Sequence, residues 1–271
     1  MMEAISWGAV VLFALATVVT LREAYGPVER ATTLTWWLTA LGGLVLGFVY
    51  VNHVLVGPGL LEVSLGPSLQ LMVLVTAGLF LLGGRHSVRM NRSVGMVLLP
   101  VLVVLLIIAQ VLPEGQGHVR KMADPLLVGH LLCSVASYGL LSLATVLALL
   151  DGVQERALRS KSQVTFLGQL PSLDRLEEKL FFTIKWGFAL LTLSMITGGV
   201  FSYQVKGVYF AFSHKVIFMW ATWLVFGVLL LGHHFQGWRG RRAVRYILIG
   251  YVFLWLGYFG VKMVSELFLQ R

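Results

Sequence analysis

A chain of 271 residues with 58% hydrophobic and only 12% charged residues lies far from the roughly 25% charge of a soluble domain. Its net charge of +9 would suit nucleic acid, but the basic residues cluster between apolar runs, where membrane topology alone places them. A single cysteine, Cys133, excludes an internal disulfide, a CxxC redox pair and a CxxCH haem-attachment motif.

The apolar runs predict eight spans, at about 5–21, 34–52, 67–83, 94–112, 125–150, 180–201, 214–231 and 243–264. Each is long enough to cross roughly 30 Å of hydrocarbon. MMEAIS at the start carries Glu3 and no basic cluster, so 5–21 reads as a retained helix and not as a cleaved signal. Arg85, Arg89 and Arg92 follow span three. Arg156, Arg159, Lys161, Arg175 and Lys179 follow span five, and Arg239, Arg241 and Arg242 follow span seven. The alternate loops are poorer in Lys and Arg, which puts the basic loops in the cytoplasm and both termini outside. The expected fold class is therefore all-α: a polytopic membrane protein of eight transmembrane helices, N-out and C-out. Between spans five and six, LPSLDRLEEKLFF spaces Leu173, Leu176 and Leu180 helically and predicts a short interfacial helix leading into span six.

Ionisable groups inside spans are costly and mark candidate sites. Asp124-Pro125 reads as a cap and first-turn proline. His130 then lies about 8 Å below the outer end of the fifth helix. Ser134, Ser137 and Tyr138 fall near the same face. The plainer reading of His130 is a hydrogen bond to a neighbouring helix. His214 opens span seven on the same side, with Ser213 as a possible cap, Lys215 beside it and Lys206 in the preceding loop. Two imidazoles from different helices suit the two axial positions of one haem iron, and the two lysines suit its propionates. Tyr203, Tyr209, Phe210, Phe212 and Trp220 offer an apolar platform. Set against this, His214 also reads as an interfacial residue at a helix start, and aromatics are common at interfaces. His53 is a third outer candidate and His118 a solvated loop residue. His233 and His234 end span seven, where the helix dipole stabilises them. No phosphate loop, HExxH or GxSxG motif is present, and the spans lack an acidic cation path, so the expectation is a non-enzyme.

Three blocks carry a resemblance. They are HLLCSVASYGLLSLATVLALLDGVQER from His130, LTLSMITGGVF, and HKVIFMWATWLVFGVLLLGHHFQGWRGRRAVRYILIGYVFLWLGYFGVK from His214. In order and spacing they resemble the membrane core of the CcsA-type cytochrome c assembly proteins, and are most like the YpjD branch, itself similar to HemX-like proteins. The resemblance covers Asp124 to Lys262 and divides the chain into a four-helix region, 1–123, and an assembly-type core, 124–271. It implies haem handling at the outer face of the bacterial inner membrane, with His130 matching the first external ligand. The family's tryptophan-rich segment ending in Trp-Asp is replaced here by KGVYFAFSHK, with Ser213 where the Asp would be. Lys262 stands where the second external histidine would be, and the family's intramembrane histidine falls near His233 or His234.

The resulting expectation is a multi-pass inner-membrane protein that binds haem through His130 and His214, with Lys206 and Lys215 near the propionates. Its partners would be lipid and other cytochrome c assembly components, with no nucleic acid. The alternative is a cofactor-free scaffold or regulatory partner of a membrane transporter. A small-solute permease is a third reading, set back by the absence of a charged pathway.

Overall fold

The structure is a computed structural model that describes residues 2–23, 32–55, 60–63, 65–83, 88–112, 118–121, 125–159, 171–209 and 213–260. In lipid no water is available to the backbone, so an apolar chain satisfies its N–H and C=O groups within helices. Among the described residues, eight helices are long and apolar enough to cross a membrane. They are α1 Met2–Glu23, α2 Thr32–Leu55, α3 Leu65–Gly83, α4 Val88–Val111, α5 Pro125–Arg159, α6 Leu173–Lys206, α7 His214–Gln236 and α8 Gly240–Trp255. One π turn, Leu256–Gly260, extends α8.

Two expectations change in detail. The stretch predicted as a separate interfacial helix is continuous with span six, because the apolar spacing of Leu173, Leu176 and Leu180 runs on into the span. These three positions belong to one helix of 34 residues, about 51 Å long. The chain is also not purely helical. Strand β1, Leu60–Val63, pairs antiparallel with β2, His118–Lys121, in the register Leu60↔Lys121 to Val63↔His118. The two connections leave the same end of the bundle, and backbone groups outside helices find partners in each other.

The helix ends are specified locally. Ser213 caps α7, accepting from the Val216 N–H at 3.4 Å. Gly207 and Gly237 end α6 and α7 with φ of 70° and 63°, a left-handed conformation that glycine adopts without steric penalty.

Two packed groups share one core. In the first, α1 packs on α2 and α4 around Phe13, Leu46, Leu99 and Leu106, all without exposure. In the second, α5 packs on α6 and α8 around Leu141, Leu176, Leu180 and Ile184. Helix α3 joins the groups by packing on α4 and α5. Trp37, Leu44 and Phe48 of α2 are exposed, as a lipid-facing surface requires.

The α5–α6 contact is close because small residues line it, as is usual between membrane helices. A Cβ on Gly187 would lie 2.9 Å from Leu141 Cδ2 and 3.0 Å from its Cγ. Ser137 Oγ donates to the Gly187 carbonyl at 2.9 Å. Gly187→Val is expected to destabilise the detergent-solubilised protein by about 1–3 kcal/mol, the usual effect of overpacking. Thermal unfolding followed by tryptophan fluorescence checks this, and an unchanged midpoint would mean that the helices part without strain.

Candidate functional site

A cavity of about 470 Å³ lies among α3, α5, α6, α7 and the C-terminal end of α8, and Tyr50 of α2 also lines it. That volume falls within the usual range for small-molecule and cofactor sites. Helical spacing selects the lining. From α5 come Leu127, His130, Ser134 and Tyr138, and from α7 come Lys215, Met219 and Thr222. The π turn presents Gly257, Tyr258 and Phe259. Such turns are frequent at functional sites because the extra residue re-aims side chains.

His130 is held in one orientation. Its Nδ1 lies 2.8 Å from the Ser194 carbonyl of α6. A carbonyl only accepts, so Nδ1 carries the proton, and a neutral ring then leaves Nε2 as a bare acceptor. Ser134 Oγ donates to the His130 carbonyl at 2.7 Å and lies 2.6 Å from Ser194 Oγ, tying the same turn of α5 to α6. The ring lies against Gly198. A Cβ there would be 2.7 Å from Cε1, 2.9 Å from Nδ1 and 3.4 Å from Nε2. Glycine at 198 is therefore what lets the imidazole lie flat on α6.

Lys215 is the cation of the cavity. Its Nζ lies 5.0 Å from the centroid of the Tyr258 ring, within cation–π range. The Tyr258 hydroxyl lies 2.8 Å from Ser68 Oγ, which joins the π turn to α3. Tyr138 donates to the Leu254 carbonyl at 3.0 Å, beside the change from α to π geometry. Among the described residues, no carboxylate lines the cavity. Apolar walls, one neutral imidazole and one cation suit a largely apolar ligand that carries an anionic group.

The other expected residues are placed differently. His214 is exposed and is not among the cavity-lining residues, since one step along α7 turns the side chain about 100° away from Lys215. Lys206 is the last residue of α6, and its side chain lies outside the described residues, as do those of His53 and His118. Tyr203 and Tyr209 stack on each other, centroids 4.5 Å apart, and are exposed; neither lines the cavity. Phe210 and Phe212 lie outside the described residues. Trp220 packs edge-on against Trp223. Phe201, Ser202 and Val205 of α6 line the cavity instead.

His233 ends α7 about 27 Å from Lys215 along the helix. Its ring stacks on Phe181 at 3.5 Å, and its Nδ1 lies 3.0 Å from the Trp238 carbonyl. These contacts make it part of the α7–α8 corner, where Trp238 fills the space above Gly232. Among the described residues, no three His, Cys, Asp or Glu side chains come together to hold a metal ion.

Sequence reasoning found His130, Lys215, Ser134 and Tyr138. It missed Ser194, Gly198, Ser68 and Tyr258, whose roles come from contacts across 60 to 190 positions of chain. The glycine pair Gly198-Gly199 was the one local signal. Gly198→Ala is expected to push the imidazole off α6 and break the Nδ1–Ser194 bond. Histidine ¹⁵N NMR reads this as a His130 resonance leaving the single Nδ1–H tautomer; an unchanged spectrum would show that α6 yields instead.

The cytochrome c assembly protein family matches residues 63–269. The inner membrane protein YpjD of Escherichia coli K12 is 33% identical over 184 residues, covering 65% of this chain and 67% of its own. A 28.8 kDa Azospirillum brasilense protein is 36% identical over 140 residues, 52% of either chain. The cytochrome c biogenesis protein CcsA of Synechococcus elongatus is 33% identical over 98 residues, covering 36% of this chain and 30% of its own length. With three quarters of its length inside that match and eight helices fit to span a bilayer, the chain is a multi-pass membrane protein that belongs to the cytochrome c assembly protein family.

Proposed function

We propose that this chain is an inner-membrane protein that holds haem in the α3–α5–α6–α7 cavity, at the periplasmic face, as a step in cytochrome c assembly. One observation carries the reading: a half-buried imidazole whose Nδ1 is committed to a backbone carbonyl, so that Nε2 is its acceptor, in a cavity that no carboxylate lines among the described residues. Metal-binding histidines are oriented in this way, with the far nitrogen bonded to a carbonyl so that the near one is fixed as ligand. Relatives carry fitting names, an inner membrane protein and a cytochrome c biogenesis protein.

In this reading His130 Nε2 would be the iron ligand and Lys215 would pair with a propionate, with Lys206 at the end of α6 proposed as a second cation. Tyr138, Phe253 and Phe259 supply the apolar walls. His214 is exposed beside Lys215 and reaches an iron in the cavity only if the first turn of α7 rotates, so the proposal rests on His130. Haem bound there supplies the redox-active iron and the macrocycle to be passed on. The chain itself holds and orients. The thiols that receive haem belong to a partner apocytochrome.

The test is a haemin titration of the detergent-solubilised full chain, read in the visible spectrum. The wild-type protein is expected to develop a Soret band that His130→Ala loses. His214→Ala is expected to keep it, and Lys215→Ala to weaken binding about fivefold or less, since pairs near water are worth about 1 kcal/mol at most. Equal loss in the two histidine variants would make His214 the second ligand. A protein that stays colourless, with copurification of a transporter, would overturn the haem reading in favour of a cofactor-free scaffold.

A further inference from the structure

The end of the bundle away from the cavity holds a second buried group of polar atoms, which the proposed function does not use. Asp151, Gln154 and Glu155 follow one another at i, i+3 and i+4 near the end of α5 and so share one face of the helix. Asp151 is 1% exposed, and neither of its carboxylate oxygens has a hydrogen-bond partner. Gln154 is 8% exposed. It donates its amide to the Pro171 carbonyl at 2.9 Å and keeps Oε1 bare. Glu155 Oε1 accepts from Arg159 at 2.7 Å and lies 3.9 Å from Arg241 Nε, while Oε2 is buried and bare.

Four acceptor oxygens therefore lie on one buried helix face with no donor among them. The neighbouring cations do not fill the gap. Arg159, Arg239 and Arg241 are each more than half exposed, and they engage only Glu155 Oε1 and Glu177 Oε2 from the rim. Gly240 opens α8 with φ of 55°, and a Cβ there would lie 2.9 Å from Glu155 Oε2. The missing side chain keeps the space beside that oxygen free. A buried carboxylate without a partner demands positive charge or a proton. The amide oxygen of Gln154 carries no charge, yet it is left bare in the same way, so it points to an electrophile independently of the acids.

We propose that Asp151, Gln154 and Glu155 bind one small monovalent cation, sodium or potassium, at the inner end of α5. All the ligand atoms are oxygens, which suit hard cations. Glu155 is already paired with Arg159, so Asp151 is the uncompensated charge and one positive charge balances it. The ion would tie α5 to the start of α6 through Gln154 and Pro171, and to the start of α8 through Glu155.

The test is thermal unfolding of the purified full chain in sodium, potassium or choline chloride at equal ionic strength and at two pH values. The wild-type midpoint is expected to be about 2–4 °C higher in sodium or potassium than in choline. Asp151→Asn should abolish the difference, and Gln154→Leu, which leaves both acids in place, should reduce it. A difference that survives in Asp151→Asn, or that is undiminished in Gln154→Leu where the Asn variant does not fold, overturns the proposal. So does a wild-type midpoint that ignores the cation and follows pH, since Asp151 would then hold a proton. No step of this experiment involves the haem cavity, so its outcome is separate from the proposed function.

Discussion

The seam between α5 and α6 is the contact on which both polar regions depend. At one end the Ser194 carbonyl fixes His130, and the Ser134 and Ser194 hydroxyls meet. In the middle Ser137 bonds the Gly187 carbonyl, and Leu141 occupies the space a side chain at 187 would take. At the other end Gln154 donates to the Pro171 carbonyl. Helices do not associate in lipid through the hydrophobic effect, so close packing of small residues and hydrogen bonds must hold them. His130 and Asp151 are 21 positions apart on α5, about 31 Å, which is close to the thickness of the hydrocarbon layer. One rigid helix thus carries an imidazole near one membrane face and a buried carboxylate near the other.

The cavity exists because the elements around it are held apart at one end. Helix α7 packs on α8 and the π turn, and more lightly on α6. Its face carrying Lys215, Met219 and Thr222 is therefore left to line the space opposite His130. The polar groups are few, and most are anchored: Tyr258 to Ser68, Tyr138 to Leu254, Ser134 to the His130 carbonyl. Anchored dipoles around one bare nitrogen give a preorganised site, because a ligand need not displace or reorder them.

The connection between α6 and α7 lies in the stretch KGVYFAFSHK. KGVYFAFSHK holds no tryptophan, and Tyr209 within it stacks on Tyr203 of α6 in the open. The described residues that line the cavity lie on helix faces and the π turn, with Lys215 at the end of this stretch among them.

Much of this was legible in the chain alone. Hydropathy determines the eight helices, because lipid forces backbone bonding inside each segment. A lone imidazole within a span marks His130, because ionisable groups there are costly. Ser213 as a cap follows from local backbone chemistry. What only the tertiary structure decided is how side chains of different helices meet. It alone shows that a carbonyl 64 residues away orients His130, that Ser68 reaches Tyr258, and that Lys215 lines the cavity while its neighbour His214 does not. Azimuth about a membrane helix is set by packing against neighbours. A helix whose apolar residues suit lipid and core equally well does not encode which face turns inward.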